Sequence, residues 1–171
     1  MEVRALTPSD AISFQALRLR SLQEFPEAFA SSYEEEVDMP LLDVEGRLEL
    51  TPDSVVFGSF NGEQLCALVG VQRETMVKLA HKSFIWGVYV APESRGRGIA
   101  TQIMKHALSH AVNELGSRQV NLGVSTKNEA ALSLYRKLGF VEYGLERGYL
   151  LVDGVLQDEY LMALTVENGI Y

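Results

Sequence analysis

Residues 88–101, VYVAPESRGRGIAT, constrain this chain more than any other stretch. An apolar β-type run ends at Val90, a loop carries Arg95-Gly96-Arg97-Gly98, and a helical period begins at about Gly98. Glycines in such a loop let the backbone approach a ligand closely, and the unpaired N–H groups of a helix start bind anions. Arg95 and Arg97 add positive charge at the same place. The arrangement predicts a phosphate or pyrophosphate held at the helix head. Three ligand classes use such loops, and the spacing separates them. The dinucleotide fingerprint G-x-G-x-x-G fits poorly, because Thr101 stands where its third glycine belongs. The nucleotide P-loop is excluded, since the chain contains no Gly-Lys pair. What remains is R-x-x-G-x-A, Arg95 to Ala100, behind a strand that ends Val-Ala-Pro.

The elements around this loop follow from periodicity. Val3–Leu6 reads as a short strand, followed by a helix start at Thr7, Pro8 and Asp10, and a mostly helical region continues to about Leu50 with interruptions near Pro26 and Pro40. Val55–Phe60 and Leu65–Arg73 alternate as strands joined by Asn61-Gly62, a hairpin signal. Phe84–Val90 is a third strand, closed by Pro92. From Gly98 to Leu115, residues Ala100, Ile103, Met104, Ala107, Leu108, Ala111 and Leu115 share one helical stripe, and Gly116 stops the helix. Val120–Val124 reads as a strand. Glu129–Leu138 reads as a helix with Asn128 as N-cap and Gly139 as its stop. Val141–Leu150 and Val155–Leu164 form a closing hairpin turned by Asp153-Gly154. The order predicts a mixed α/β sheet layered with helices.

Composition excludes several partners. The chain has 171 residues, a length suited to one domain, residues 1–171. Its 15 Lys+Arg against 23 Asp+Glu give a net charge of -8, which repels nucleic acid and anionic membranes and favours cationic partners. The lone Cys66 forms no internal disulfide, residues 1–15 lack the apolar stretch of a secretory leader, and no run is long enough to span a membrane. A cytoplasmic protein is the expectation.

Two motifs together resemble the GNAT superfamily of N-acetyltransferases. The first is Arg95–Ala100, similar to the family's Q/R-x-x-G-x-G/A pyrophosphate motif. The second is NEAALSLYRKLGF, residues 128–140, similar to its Asn…Tyr…Gly-Phe helix at the expected distance downstream. Asn128 and Tyr135 are seven apart, so they lie within roughly 20° of one another on a helix face. The resemblance runs from about Val55 to Leu164, and the first 50 residues fit the family's variable helical opening. It implies the family's fold, a central mostly antiparallel sheet flanked by helices.

The resemblance also implies acetyl-CoA as co-substrate, a small amine or a protein or peptide amine as acceptor, and direct transfer without a metal. By that likeness Arg95, Gly96, Arg97, Gly98, Ile99, Ala100 and Thr101 hold the pyrophosphate. The strand edge at Val88, Tyr89 and Val90 pairs with the pantetheine arm. The Val90 N–H polarises the thioester carbonyl, Asn128 bonds the arm, and Tyr135 is the general acid that protonates the leaving thiolate. Relatives are often dimers through the late strands, so the apolar strand Val155–Leu164 fits a homodimer and equally burial inside one chain. The base stays unassigned, because Phe84–Val90 offers no carboxylate; Glu74, His81 or a water chain are the alternatives.

Each reading has a plainer rival. Tyr135 taken alone is a core tyrosine, and Trp86 is sheet packing or part of an acceptor tunnel. His106 and His110 have metal-pair spacing without the glutamate of a zinc motif, so a solvent-facing role is favoured. Glu34-Glu35-Glu36 is a solvated helix face or a cation-attracting rim, with Glu34 the acceptor contact. The rivals from other classes are a non-catalytic CoA-binding sensor and a nucleotide-dependent oxidoreductase.

Overall fold

The computed structural model describes residues 1–166. Seven strands form one sheet in the order β1-β2-β3-β4-β5-β7-β6. They are β1 (Glu2–Ala5), β2 (Ser54–Asn61), β3 (Gln64–Arg73), β4 (Lys82–Val90), β5 (Gln119–Ser125), β6 (Val141–Val152) and β7 (Val155–Thr165). Every neighbouring pair is antiparallel except β4 and β5. The mixed α/β sheet expected from the sequence is present.

Helices cover both faces. On one face lie α4 (Ile99–Asn113) and α5 (Glu129–Lys137). The apolar stripe of α4 turns inward as its period requires, with Ile103, Met104, Ala107, Leu108 and Ala111 fully buried against Val69, Val71, Val120 and Leu122. Each large side chain so buried contributes about 1.5–3 kcal/mol of transfer free energy. On the other face lie α1 (Ala11–Glu24), α2 (Tyr33–Glu36) and α3 (Leu41–Arg47). Phe14, Leu17, Val44 and Leu48 form a second core there with Val56, Leu68 and Tyr89. The helical opening is therefore broken near Pro26 and Pro40 as expected, because Pro26 begins a single 3-10 turn and Pro40 caps α3.

One turn differs from its expected position. The β2–β3 turn is Gly62-Glu63, with Asn61 paired to Gln64 as the last rung. A bulge after Ser59 shifts the register by one residue, so Asn61 is drawn into the ladder. Gly62 has φ +62°, as a type II′ turn with glycine first demands. The β6–β7 turn is Asp153-Gly154, where both residues have positive φ.

Candidate active site

The sheet is split at its centre. β4 and β5 pair only through Lys82–Phe84 against Gln119–Asn121, and beyond Phe84 the two strands part. β4 carries an extra residue here: Leu68 faces Tyr89 while Gly70 faces Trp86, which places a bulge at Gly87-Val88. Gly87 has φ +66°, a conformation that a side chain disfavours. The Ala91 amide donates to the Cys66 carbonyl on β3. Backbone groups alternate along a strand, so the Val90 N–H and C=O point the other way, into the gap. A cavity of about 850 Å³ fills the gap and is lined by residues from both faces of the sheet.

On the α4 side the cavity meets the glycine loop. Gly96 and Gly98 have φ +75° and +74°, and nothing lies within 4 Å of where a Cβ would stand on either. Conformation, not space, calls for glycine at both. From Gly96 to Thr101 no backbone amide donates to a described residue, and α4 has no side-chain cap. Unpartnered donors of this kind at a helix head are the groups that an anion can satisfy. The loop residues contribute unequally. Ile99 is buried in the core, Ala100 lines the cavity, and the Arg97 and Thr101 side chains are exposed.

Arg95 is the first departure from the expected site. Its Nε donates to the Val90 carbonyl at 2.9 Å, its guanidinium reaches Glu24 at 3.3 Å, and it lies over the Phe25 and Tyr89 rings. The side chain thus braces the end of β4 and is not aimed at the loop amides. Glu24 also accepts from the Tyr89 hydroxyl at 2.8 Å and from Arg20, which in turn holds Glu93. Burial, and then the bond to Glu24, push the Tyr89 phenol up to about 12. This network ties the end of α1 to the loop before α4.

Asn128 and Tyr135 both line the cavity, as their spacing predicts. Asn128 Oδ1 accepts from the Ala131 amide at 3.1 Å and caps α5, which leaves its amide N–H₂ free. Tyr135 is 6% exposed and packs on Phe140, 5.9 Å between ring centroids. Its hydroxyl makes no hydrogen bond to a described residue, and burial raises its pKa well above that of an ordinary phenol. A phenol so placed stays protonated at neutral pH and has its proton to give.

The α1 side of the cavity holds groups that sequence reasoning missed. Arg18 is buried there, with Nε and Nη2 on Glu36 at 3.3 and 3.1 Å and Nη1 without a hydrogen-bond partner among the described residues. Burial alone raises the Glu36 pKa, but Arg18 and Arg47 outweigh it and hold the carboxyl low. Glu159, on β7, lies over Gly123 of β5, where a Cβ would collide with its carboxylate. Burial first, and then the nearby Glu146, push the Glu159 carboxyl up to about 7. No local signal marked it, because Gln157, Asp158 and Glu159 read together as a polar stretch of β7.

The acidic run is divided by its neighbours. Glu34 is exposed and lies off the cavity, Glu35 closes a capping box with Ser32, and Glu36 is buried in its ion pairs. Glu74 and His81 are likewise absent from the cavity wall. Trp86 is on it, facing the α1 side. His106 and His110 both pack edgewise on Phe57, and among the described residues no group of three or more His, Cys, Asp or Glu is placed to hold a metal.

Known proteins repeat this architecture. A solved acetyltransferase of the GNAT family from Streptococcus pneumoniae superposes with a TM-score of 0.86 at 20% identity, over 97% of this chain and 99% of that one. A putative acetyltransferase from Salmonella typhimurium, solved with its cofactor acetyl-CoA, gives 0.78 at 16% identity, over 98% and 95%. At these identities the likeness concerns the fold. In sequence, a spermidine N(1)-acetyltransferase of Vibrio cholerae is 30% identical over 91 residues, 53% of each chain. The N-alpha-acetyltransferase RimI of Mycobacterium tuberculosis is 32% identical over 112 residues, 66% of each. The chain thus spans about half to two thirds of these curated relatives. The profile of the acetyltransferase (GNAT) family matches residues 19–140, most of the chain, and on the split sheet, the glycine loop and that match together the chain belongs to the GNAT acetyltransferase family.

Proposed function

We propose that this chain is one N-acetyltransferase domain that moves the acetyl group of acetyl-CoA directly to a primary amine. The observation that carries the reading is the sheet gap, where the Val90 amide and the Tyr135 hydroxyl, neither engaged by a described residue, line one cavity beneath a head of helix amides likewise unpartnered among those residues. Acetyl-CoA supplies an acetyl group already activated as a thioester. The chain's residues do the rest. The amides from Gly96 to Thr101 hold the pyrophosphate, and the Asn128 amide nitrogen and the β4 edge align the arm. The Val90 N–H takes the charge that develops on the carbonyl oxygen. Tyr135 protonates the thiolate as it leaves. Arg95 acts indirectly in this reading, by fixing the Val90 strand end.

The acceptors of the matched relatives, spermidine among them, support a small amine or a protein amine. Exposed Leu145, Leu151 and Leu156 on β6 and β7 support a homodimer through the late strands. A buried, unpaired Cys66 suits the reducing cytoplasm. No helix among the described residues is long and apolar enough to cross a membrane.

Free-thiol release from acetyl-CoA, measured across a panel of primary amines, tests the proposal. Amine-dependent release is expected, with the amine gaining one acetyl group by mass. Tyr135→Phe lowers kcat on the order of 10²–10⁴-fold while acetyl-CoA binding is kept. Tight CoA binding with no transfer to any amine would favour a sensor of the same fold.

A further inference from the structure

The α1 side of the cavity, where an acceptor enters, is chemically lopsided. Its walls are largely aromatic: Phe29, Phe84, Trp86, Tyr143 and Tyr149. Trp86 lies flat on β3, where a Cβ on Gly70 would fall inside the indole. Among the lining residues Glu159 is the one carboxylate. The groups that face it are Ser125 and Gly123 from β5, Glu146 and Tyr149 from β6, Asp158 beside it, and Glu27 from the Pro26–Ala28 turn. All are neutral or acidic, and among the described residues no lysine or arginine pairs with Glu159. The ionised carboxylate therefore lacks a cation, and a bound ammonium supplies it. Of the two cations on this side, Lys127 is held on Gln157, two residues from Glu159 on β7. The other, Arg18 on the cavity wall, is committed to Glu36 and presents an Nη1 without a partner among the described residues, which repels a second positive charge.

We infer that the acceptor is a monoamine with an aromatic or apolar body, and that Glu159 docks its ammonium and acts as the general base. The inference rests on the acetyl transfer proposed above and narrows its acceptor. The docked ammonium gives one proton to the Glu159 carboxylate. The amine nitrogen bonds to the acetyl carbon as the carbon–sulfur bond breaks, and the thiolate takes a proton from Tyr135. The second nitrogen proton leaves to solvent, solvent reprotonates Tyr135, and Glu159 releases its proton to water, so the turnover yields one proton net. Base and acid work from opposite faces of the split sheet. The aromatic walls favour one ammonium through cation–π contact and bury an apolar body. Inside the cavity lining a polyamine's further ammonium groups meet aromatic rings and Arg18 and no second carboxylate, and their desolvation there is uncompensated. Glu27, Asp158 and Glu146 stand beside Glu159 but outside that lining.

The test compares 2-phenylethylamine, a short peptide with N-terminal phenylalanine, and spermidine as acceptors with acetyl-CoA. Of the two aromatic acceptors, the better one should exceed spermidine in kcat/KM on the order of tenfold or more, and which one it is tells a free amine from a peptide end. Its kcat should rise through about pH 7 in the wild type. Glu159→Gln should lose that rise and lower kcat about 10²-fold. Emission of Trp86, the chain's single tryptophan, reports amine binding without turnover and should show weaker binding of 2-phenylethylamine in Glu159→Gln. Spermidine equal to or better than both aromatic acceptors would overturn the inference and leave acetyl transfer standing. An unchanged pH profile in Glu159→Gln would remove the base. Release with none of the three would overturn the inference, and calorimetry with acetyl-CoA then shows whether the reaction falls with it.

Discussion

Burial is the largest cause that displaces Tyr135 and Glu159, in the same direction and with opposite chemical consequences. The phenol, already above the neutral range, rises further and remains a donor, whereas the carboxyl rises into that range and becomes an exchangeable acceptor near pH 7. The shift at Glu159 also has a cost. Its folded pKa lies above its unfolded value near 4.5, so between those values the folded state holds the extra proton. The contribution to stability is fully present below about pH 4.5 and is lost as pH rises through about 7. Glu159→Gln removes that loss. Thermal melts should show the variant gaining Tm over the wild type between pH 5 and pH 8, and an equal difference at both would show that the carboxyl is not perturbed. Tyr135 was legible in the sequence because Asn128, Gly139 and Phe140 share its helix and its spacing. Glu159 was not, because its neighbours Gly123 and Glu146 are brought to it by strand pairing. Glu34 misled in the converse way, as a charge run whose members the fold sends to a cap, a buried ion pair and open solvent.

At the scale of elements, the glycine loop and α4 were readable because each rests on local chemistry. Gly98 carries φ +74° at the helix head with nothing near its missing Cβ. Gly98→Ala should therefore act through the backbone, at about 1–2 kcal/mol for a left-handed non-glycine residue. The KM for acetyl-CoA should rise roughly tenfold, with the acceptor KM and the fold unchanged. A change confined to the acceptor KM would place the loop outside the cofactor site. The Arg95 side chain shows the limit of motif reading: the sequence put it in the loop, and the fold turned it back to the Val90 carbonyl and Glu24. The Asn61-Gly62 signal marked the right hairpin one residue early, because the bulge after Ser59 is a property of two strands together.

At the scale of the whole molecule, element order gave away a layered mixed sheet, but nothing local marks where β4 and β5 part. The bulge at Gly87, the three-rung pairing and the continuation of β5 against β7 together leave the opening. That opening is what joins the two faces, with the helix head and Tyr135 on one and Trp86, Arg18 and Glu159 on the other. The net charge of -8 draws cations toward the protein, while the loop presents Arg97 and backbone amides that no described residue engages, the groups an anion would meet. In the proposed reaction donor and acceptor come from opposite faces of the sheet and meet in the gap at the same time. Initial rates with acetyl-CoA and the amine both varied test this most directly. Intersecting double-reciprocal lines, with no acetylated protein in the intact mass, are the predicted result. Parallel lines with an acetyl group found on the chain would contradict it.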